Sequence, residues 1–207
     1  MCERIRRRTW RDCRDEPASA LHAPGWRAEE HPEFPRAPFD MCFTPEALLE
    51  TLGTVGALPP ESGAKGFGPM DRLGFDRIEF DVRGSADGGV GVYRPNVDWG
   101  NERCRYHLSV PKAVKRVWTG DIHSHPGSEG VPSGGVGPAM GDLAYVEEVF
   151  AMNEAMLYFL IPILTATGTD EVVIHPWVCH RESGLMIATV RVVEREQFPV
   201  REFNPVW

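Results

Sequence analysis

The stretch Gly120-Asp121-Ile122-His123-Ser124-His125-Pro126-Gly127 constrains the fold more than any other part of the chain. The residues from Val114 to His123 read as a strand. Side chains two apart on a strand point to the same face, so His123 and His125 present their imidazoles together. Pro126 cannot donate to a ladder and turns the chain there. Two imidazole nitrogens placed this way can bind one metal ion at about 2.0–2.1 Å. A carboxylate at the start of the next helix completes a three-ligand site and leaves the fourth tetrahedral position to water, the arrangement of a catalytic rather than a structural zinc.

Asp142 is the candidate for that carboxylate. It follows Gly141 and precedes Leu143, Val146, Val149 and Phe150, an apolar stripe that predicts a helix capped by Asp142 and ending near Asn153. Chemistry on a metal-activated water also needs a base outside the ligand set. Glu61, opening Glu61-Ser62-Gly63-Ala64-Lys65-Gly66-Phe67-Gly68, is the first candidate and Glu79, within Ile78-Glu79-Phe80, the reserve. The Gly-rich segment itself lacks the G-K-S/T ending of a phosphate loop.

The rest of the chain reads as strands and helices in alternation. Thr44-Pro45-Glu46 is a cap, a first-turn proline and an acidic first turn, predicting a helix to about Gly56 with Leu48, Leu52 and Val55 inward. Strands are expected at 78–82, 90–94, 106–110 and 114–123. Three apolar runs, 156–164, 171–179 and 185–193, are expected to form an antiparallel hairpin series with turns at 167–170 and 182–184. This is an α/β sheet layered with helices. Residues 1–38 carry eight Arg, seven acidic residues and five Pro without apolar periodicity, so they are expected to form a flexible extension ahead of a single domain over 39–207.

Composition removes several functions. The chain has 207 residues, 42% apolar and 25% charged, with a net charge of −8, which disfavours nucleic acid and anionic membrane as partners. No apolar run approaches the ~20 residues of a membrane span, and the N-terminus has charge without an apolar core behind it, so a cytoplasmic location is expected. Cys2, Cys13, Cys42, Cys104 and Cys179 are odd in number and scattered, predicting reduced bystanders rather than disulfides or a zinc knuckle. His107, His175 and His180 are not expected to form a second metal site, and Trp99, Trp118 and Trp177 are expected to fill the core.

The site residues resemble those of the JAMM (MPN-plus, or JAB) zinc metalloproteases, whose pattern is E-x-G-G-x-x-x-G followed by H-x-H-P…P-S-x-x-D. Glu61, Gly63 and Gly68 match the first part; His123, His125, Pro126, Pro132 and Ser133 match the second, and the likeness covers roughly residues 44–195. Ala64 stands in place of the second Gly. Val136 stands three residues after Ser133, where the family has its Asp, so Asp142 serves only if the Gly-rich stretch before it loops out.

The resemblance implies an MPN/JAB-like, cytidine-deaminase-like α/β fold with one Zn2+ on His123, His125 and Asp142. It implies Glu61 as base and Ser133 as donor to the oxyanion. The implied reaction is hydrolysis of the amide after the C-terminal Gly of a ubiquitin-like protein, whose tail would lie along a sheet edge. It also implies ubiquitin-like conjugates and their activating and conjugating enzymes as partners, as in bacterial operons that include anti-phage systems. Two other readings stay open: an MPN-like scaffold with a degraded site, and a zinc hydrolase of small amides.

Overall fold

A computed structural model of the chain describes residues 25–55, 61–87, 93, 95–111, 115–125, 130–134, 141–166 and 171–201. Order begins earlier than composition suggests. Strand β1 (Gly25–Ala28) pairs in parallel with a strand that starts at Glu171, and residues 25–38 belong to the folded unit. The expected boundary at 38 is therefore corrected, residues 1–24 lying outside the described residues. The segment is held by aromatic contacts that its local composition does not reveal: Trp26 packs against the core, and Phe34 meets the Trp177 ring edge-on at 4.8 Å.

After β2 (Met41–Phe43), helix α1 (Pro45–Thr54) starts where its cap predicts, with Thr44 Oγ1 accepting the Ala47 N–H at 3.2 Å. Its Ala47, Leu48 and Leu52 are buried. The Gly-rich segment is not merely a loop. It becomes β3 (Gly63–Pro69), buried along its whole length and paired antiparallel on both sides, with β4 (Arg77–Phe80) and with β5 (Arg116–Ser124).

Two expected strands are corrected. Val82 does not extend β4 but opens the short helix α2 (Val82–Asp87), because the Asp81 carboxylate accepts the Gly84 N–H at 2.8 Å and closes a helical turn. Residues 106–109 end helix α3 (Val97–Ser109), whose start is fixed by Asn96 accepting the Trp99 N–H at 3.1 Å. An apolar run this short carries no period of its own, and the upstream cap decides it. Of the strand expected at 90–94, only Tyr93 lies within the described residues.

Helix α4 (Asp142–Met152) forms as predicted, one residue out of phase: Gly141 is the cap and Asp142 the first helical residue. Prolines divide the apolar runs. Pro162 separates β6 (Tyr158–Leu160) from β7 (Ile163–Ala166), and Pro176 separates β8 (Glu171–His175) from β9 (Trp177–His180). The last run gives β10 (Gly184–Ile187) and β11 (Val190–Val192). β7 with β8 and β9 with β10 are the expected antiparallel pairs. The series ends there, since β11 joins β2 in parallel in a separate two-stranded sheet.

The main sheet is mixed and runs β1-β8-β7-β5-β6-β9-β10, with β3 and then β4 added to β5. β5 is parallel to β6 near Gly120 and to β7 at His123 and Ser124. Helix α1 covers one face over Ile78, Ala64, Ile122 and Leu164; Val146, Val149 and Phe150 of α4 cover part of the other over Phe159, Ile163 and Trp177. The result is a mixed α/β fold of one sheet between helices. No helix among the described residues is long and apolar enough to cross a membrane.

The close approach of β5 to β6 requires glycine at position 120. A Cβ there would lie 1.8 Å from the Leu160 carbonyl oxygen, a backbone atom of the next strand. Gly120→Ala is expected to lower unfolding free energy by about 2–3 kcal/mol, as overpacking does. Urea denaturation checks this, and a loss under about 0.5 kcal/mol would contradict the packing described.

Candidate metal centre

His123 and His125 sit at the end of β5, and the register of the sheet gives them their surroundings. Gly63 of β3 is paired with His123, and Ser124 N–H bonds to the Ser62 carbonyl at 2.9 Å. His125 N–H bonds to the Leu164 carbonyl on the other side at 2.9 Å, so both histidines are held by backbone on two strands. Both are buried.

Asp142 arrives from the first turn of α4. His123 Nε2 and His125 Nε2 lie 3.0 Å apart; Asp142 Oδ1 is 3.1 Å from His123 Nε2, and Asp142 Oδ2 is 3.4 Å from His125 Nε2. Ligands about 2.0–2.1 Å from a tetrahedral zinc stand about 3.3–3.4 Å from one another, so the spacing and the nitrogen and oxygen donors fit that ion. Among the described residues these three form the group able to hold a metal.

Ser133 fixes the carboxylate. Its N–H and its Oγ–H both reach Asp142 Oδ2, at 2.6 and 2.9 Å, while its Oγ accepts the Asp142 N–H at 3.0 Å and its carbonyl accepts Leu143 N–H at 3.2 Å. Ser133 thus ties off the start of the helix, and Asp142 comes to the histidines although eight residues intervene, of which 135–140 lie outside the described residues, as does Pro126. Burial works to raise the Asp142 carboxyl, but the charge and hydrogen bond of His123, with the bonds from His125 and the Ser133 backbone, outweigh it and hold the carboxyl far below its usual range. The helix N-terminus adds to this preference for the anion.

The two candidate bases separate. Glu61 lies two residues ahead of Gly63, so the β3–β5 register carried back puts it level with His125; its Oε2 accepts the Tyr93 N–H at 2.8 Å. Glu79 pairs with Lys65 on β3, two rows from the Gly63–His123 pair, and is corrected as a candidate. Its carboxylate takes both Arg103 nitrogens and His107 Nε2, the last at 2.8 Å. Burial opposes ionisation, yet those partners bring the carboxyl down to about 2, so it is ionised and only weakly basic at neutral pH.

The structure also brings together residues that the sequence did not single out. Lys65 Nζ and Asp121 form a buried ion pair at 3.1 Å, two rows below His123, and Asp121 accepts further bonds from Trp118 Nε1 at 2.7 Å and the Tyr145 hydroxyl at 2.6 Å. The signal was present as charged residues inside strands otherwise built for burial. Of the tryptophans, Trp177 is fully buried as expected, whereas Trp118 and Trp99 are only partly so.

The remaining histidines serve separate partners: His107 faces Glu79, His175 stands between His31 and Thr165 at 2.9 Å each, and His180 meets Ser183 at 3.0 Å. Cys42, Cys104 and Cys179 are free thiols; burial pushes Cys42 up to about 11 and Cys179 up to about 12. Both therefore stand as protonated thiols at neutral pH.

No protein-family model and no curated protein matches the sequence. Solved structures similar to it include the solution structure of protein DSY2949 from Desulfitobacterium hafniense, 15% identical, with a TM-score of 0.48, covering 74% of this chain and 93% of that one. A likeness this remote carries no function across.

His175 supplies a pH test of the packing behind the site, where Trp177 Nε1 donates to the Gly130 carbonyl at 2.5 Å. Burial, with the charge of His31 beside it and smaller effects of Arg27 and His125, outweighs the opposing pull of the Glu29 carboxylate and lowers its imidazole from 6.5 to about 4. The folded state therefore refuses a proton that the unfolded chain accepts, so this contribution is complete above about pH 6.5 and is lost as pH falls toward 4. Denaturation midpoints measured from pH 7 to 4 are expected to fall across that window in the native chain and less steeply in His175→Gln. An identical slope in both would contradict it.

Proposed function

We infer that this chain is a zinc-dependent peptidase or isopeptidase of the JAMM type on an MPN/JAB-like fold. Its substrate is the amide that follows the C-terminal glycine of a ubiquitin-like protein, in a conjugate or a precursor. The observation that carries this reading is the convergence of His123, His125 and Asp142 at 3.0–3.4 Å, drawn from a strand end and a helix start. The substrate class rests on the motif resemblance around Glu61, His123, His125 and Ser133. The net charge of −8 suits a basic partner surface.

When bound, zinc supplies Lewis acidity toward a carbonyl oxygen and lowers the pKa of a water. The chain supplies the proton handling. Glu61, at the mouth of β3 beside the histidines, takes the proton from the attacking water and returns it to the departing amine. Ser133 donates its hydroxyl to the oxygen on which negative charge builds. It can do so without abandoning Asp142, because its backbone N–H stays on Oδ2 at 2.6 Å while its Oγ still accepts from the Asp142 N–H. β4, which among the described residues pairs only with β3, leaves a sheet edge against which an extended tail can add as a strand.

The purified chain is expected to bind about one zinc, lost in His123→Ala and in Asp142→Ala, as read by metal analysis of folded protein. Glu61→Gln is expected to keep the zinc and lose about 10²–10⁴-fold in cleavage of a ubiquitin-like fusion. Ser133→Ala is expected to lose about 10²–10³-fold. A folded chain that takes up no zinc, or a Glu61→Gln variant as active as the native protein, overturns the reading.

A further inference from the structure

Tyr93 touches three parts of the candidate centre at once, and nothing in the motif includes it. Its backbone N–H donates to Glu61 Oε2 at 2.8 Å. Its ring lies nearly parallel to the His123 imidazole, at 17° and 6.4 Å between centroids. The same ring occupies the space beside Gly63, the residue paired with His123, where a Cβ would come within 2.3–2.7 Å of three of its atoms. Gly63 is therefore a glycine because Tyr93 is there.

The far end of Tyr93 is anchored. Its hydroxyl donates to Asp81 Oδ2 at 3.1 Å, and the fully buried Asp81 also accepts the Asn96 N–H at 2.7 Å and the Gly84 N–H at 2.8 Å. Asp81 thus holds the beginnings of α2 and α3 together with the phenol. Burial, reinforced by the carboxylates of Asp121 and Asp81, pushes the phenol well above its ordinary value, so it remains a donor throughout the physiological range.

We propose that Tyr93 is a positioning residue that clamps the Glu61 carboxylate and the His123 ring in a fixed relation, with Asp81 as its anchor. This deepens the hydrolase reading and rests on it for the role of Glu61. The reason for such a clamp is geometric: Glu61 stands outside the paired part of β3, and a base serves only when held within hydrogen-bond reach of the proton it takes. The clamp has two separable parts. The ring bears on His123, and the hydroxyl tie to Asp81 sets where the Tyr93 backbone N–H meets Glu61.

Two variants of the full chain separate them, with circular dichroism and melting confirming that each folds. Tyr93→Ala removes ring and tie, and is expected to weaken zinc binding, titrated against a chromophoric chelator, by about tenfold or more, as loss of an outer support of a metal ligand does. It is also expected to alter the visible bands of the cobalt-substituted protein. Tyr93→Phe keeps the ring, and is expected to hold zinc affinity within about twofold while kcat on a ubiquitin C-terminal aminocoumarin amide falls about tenfold at unchanged KM. If Tyr93→Ala is unfolded, Tyr93→Leu, which also removes the aromatic ring, is read in its place with the same expected loss of zinc affinity, and Asp81→Asn is expected to follow Tyr93→Phe. A folded Tyr93→Ala with native zinc affinity and native cobalt bands overturns the ring's part, and a Tyr93→Phe or Asp81→Asn with native kcat overturns the tie. The zinc and cobalt measurements need no hydrolysis, so a native chain that binds zinc without cleaving the amide counts against the hydrolase reading and leaves the test of the ring intact.

Discussion

The pairing of β3 with β5 is the constraint on which the rest of the structure depends. It sets rows of side chains across the sheet: Gly63 beside His123, Ala64 beside Ile122, Lys65 beside Asp121. A slip of one residue would put Lys65 opposite Ile122 and bury an ammonium without a counter-ion, at a cost of several kcal/mol. The side chains of Lys65 and Asp121 are 6% and 3% exposed, so water cannot rescue such a mismatch. The native row satisfies both charges, with Trp118 and Tyr145 completing Asp121 and the Trp118 ring lying 4.1 Å under Lys65 Nζ. A buried ion pair is weak evidence for stability, but here it discriminates one register from its neighbours.

That register divides the sheet into two unlike faces. Ala64, Ile78 and Ile122 face α1 and form an apolar core, while Lys65, Glu79, Asp81, Asp121 and His123 lie on the other face. Each charged member of that second face meets a named partner on a neighbouring element: Glu79 meets Arg103 and His107 of α3, Asp121 meets Tyr145 of α4, and Asp81 meets Tyr93. The candidate centre lies at the end of this polar face, where β5 stops and α4 begins. Its three donors come from a strand end and a helix start, both held by backbone hydrogen bonds, and the imidazoles therefore do not depend on a loop for their placement.

Much of the centre was legible in the sequence. His123 lies on β5 and His125 one residue past its end, still bonded to the Leu164 backbone, and Asp142 stands at the start of a strongly patterned helix, so local periodicity put the three close to where the structure has them. The capping of α1 by Thr44 was equally local. Glu79 was misread because its environment is made by Arg103 and His107, on a helix whose own signal lay in the Asn96 cap rather than in residues 106–110. The Gly-rich segment was assigned no strand of its own, because glycines carry no strand signal until a strand is seen packed on either side of them.

What the sequence by itself determined is the chemistry available: two imidazoles on one strand face, a carboxylate at a helix start, and a glutamate ahead of a Gly-rich strand, because each depends on residues within a few positions of one another. What only the tertiary structure decided is which of those groups come together and what surrounds them. That residues 25–38 belong to the fold, that Glu79 is tied up by cations, and that Tyr93 spans Glu61 and His123 all rest on contacts between segments far apart in the chain, as between His31 and His175, which are 144 positions apart. Such contacts form only when burial brings the segments together, and no local pattern records them.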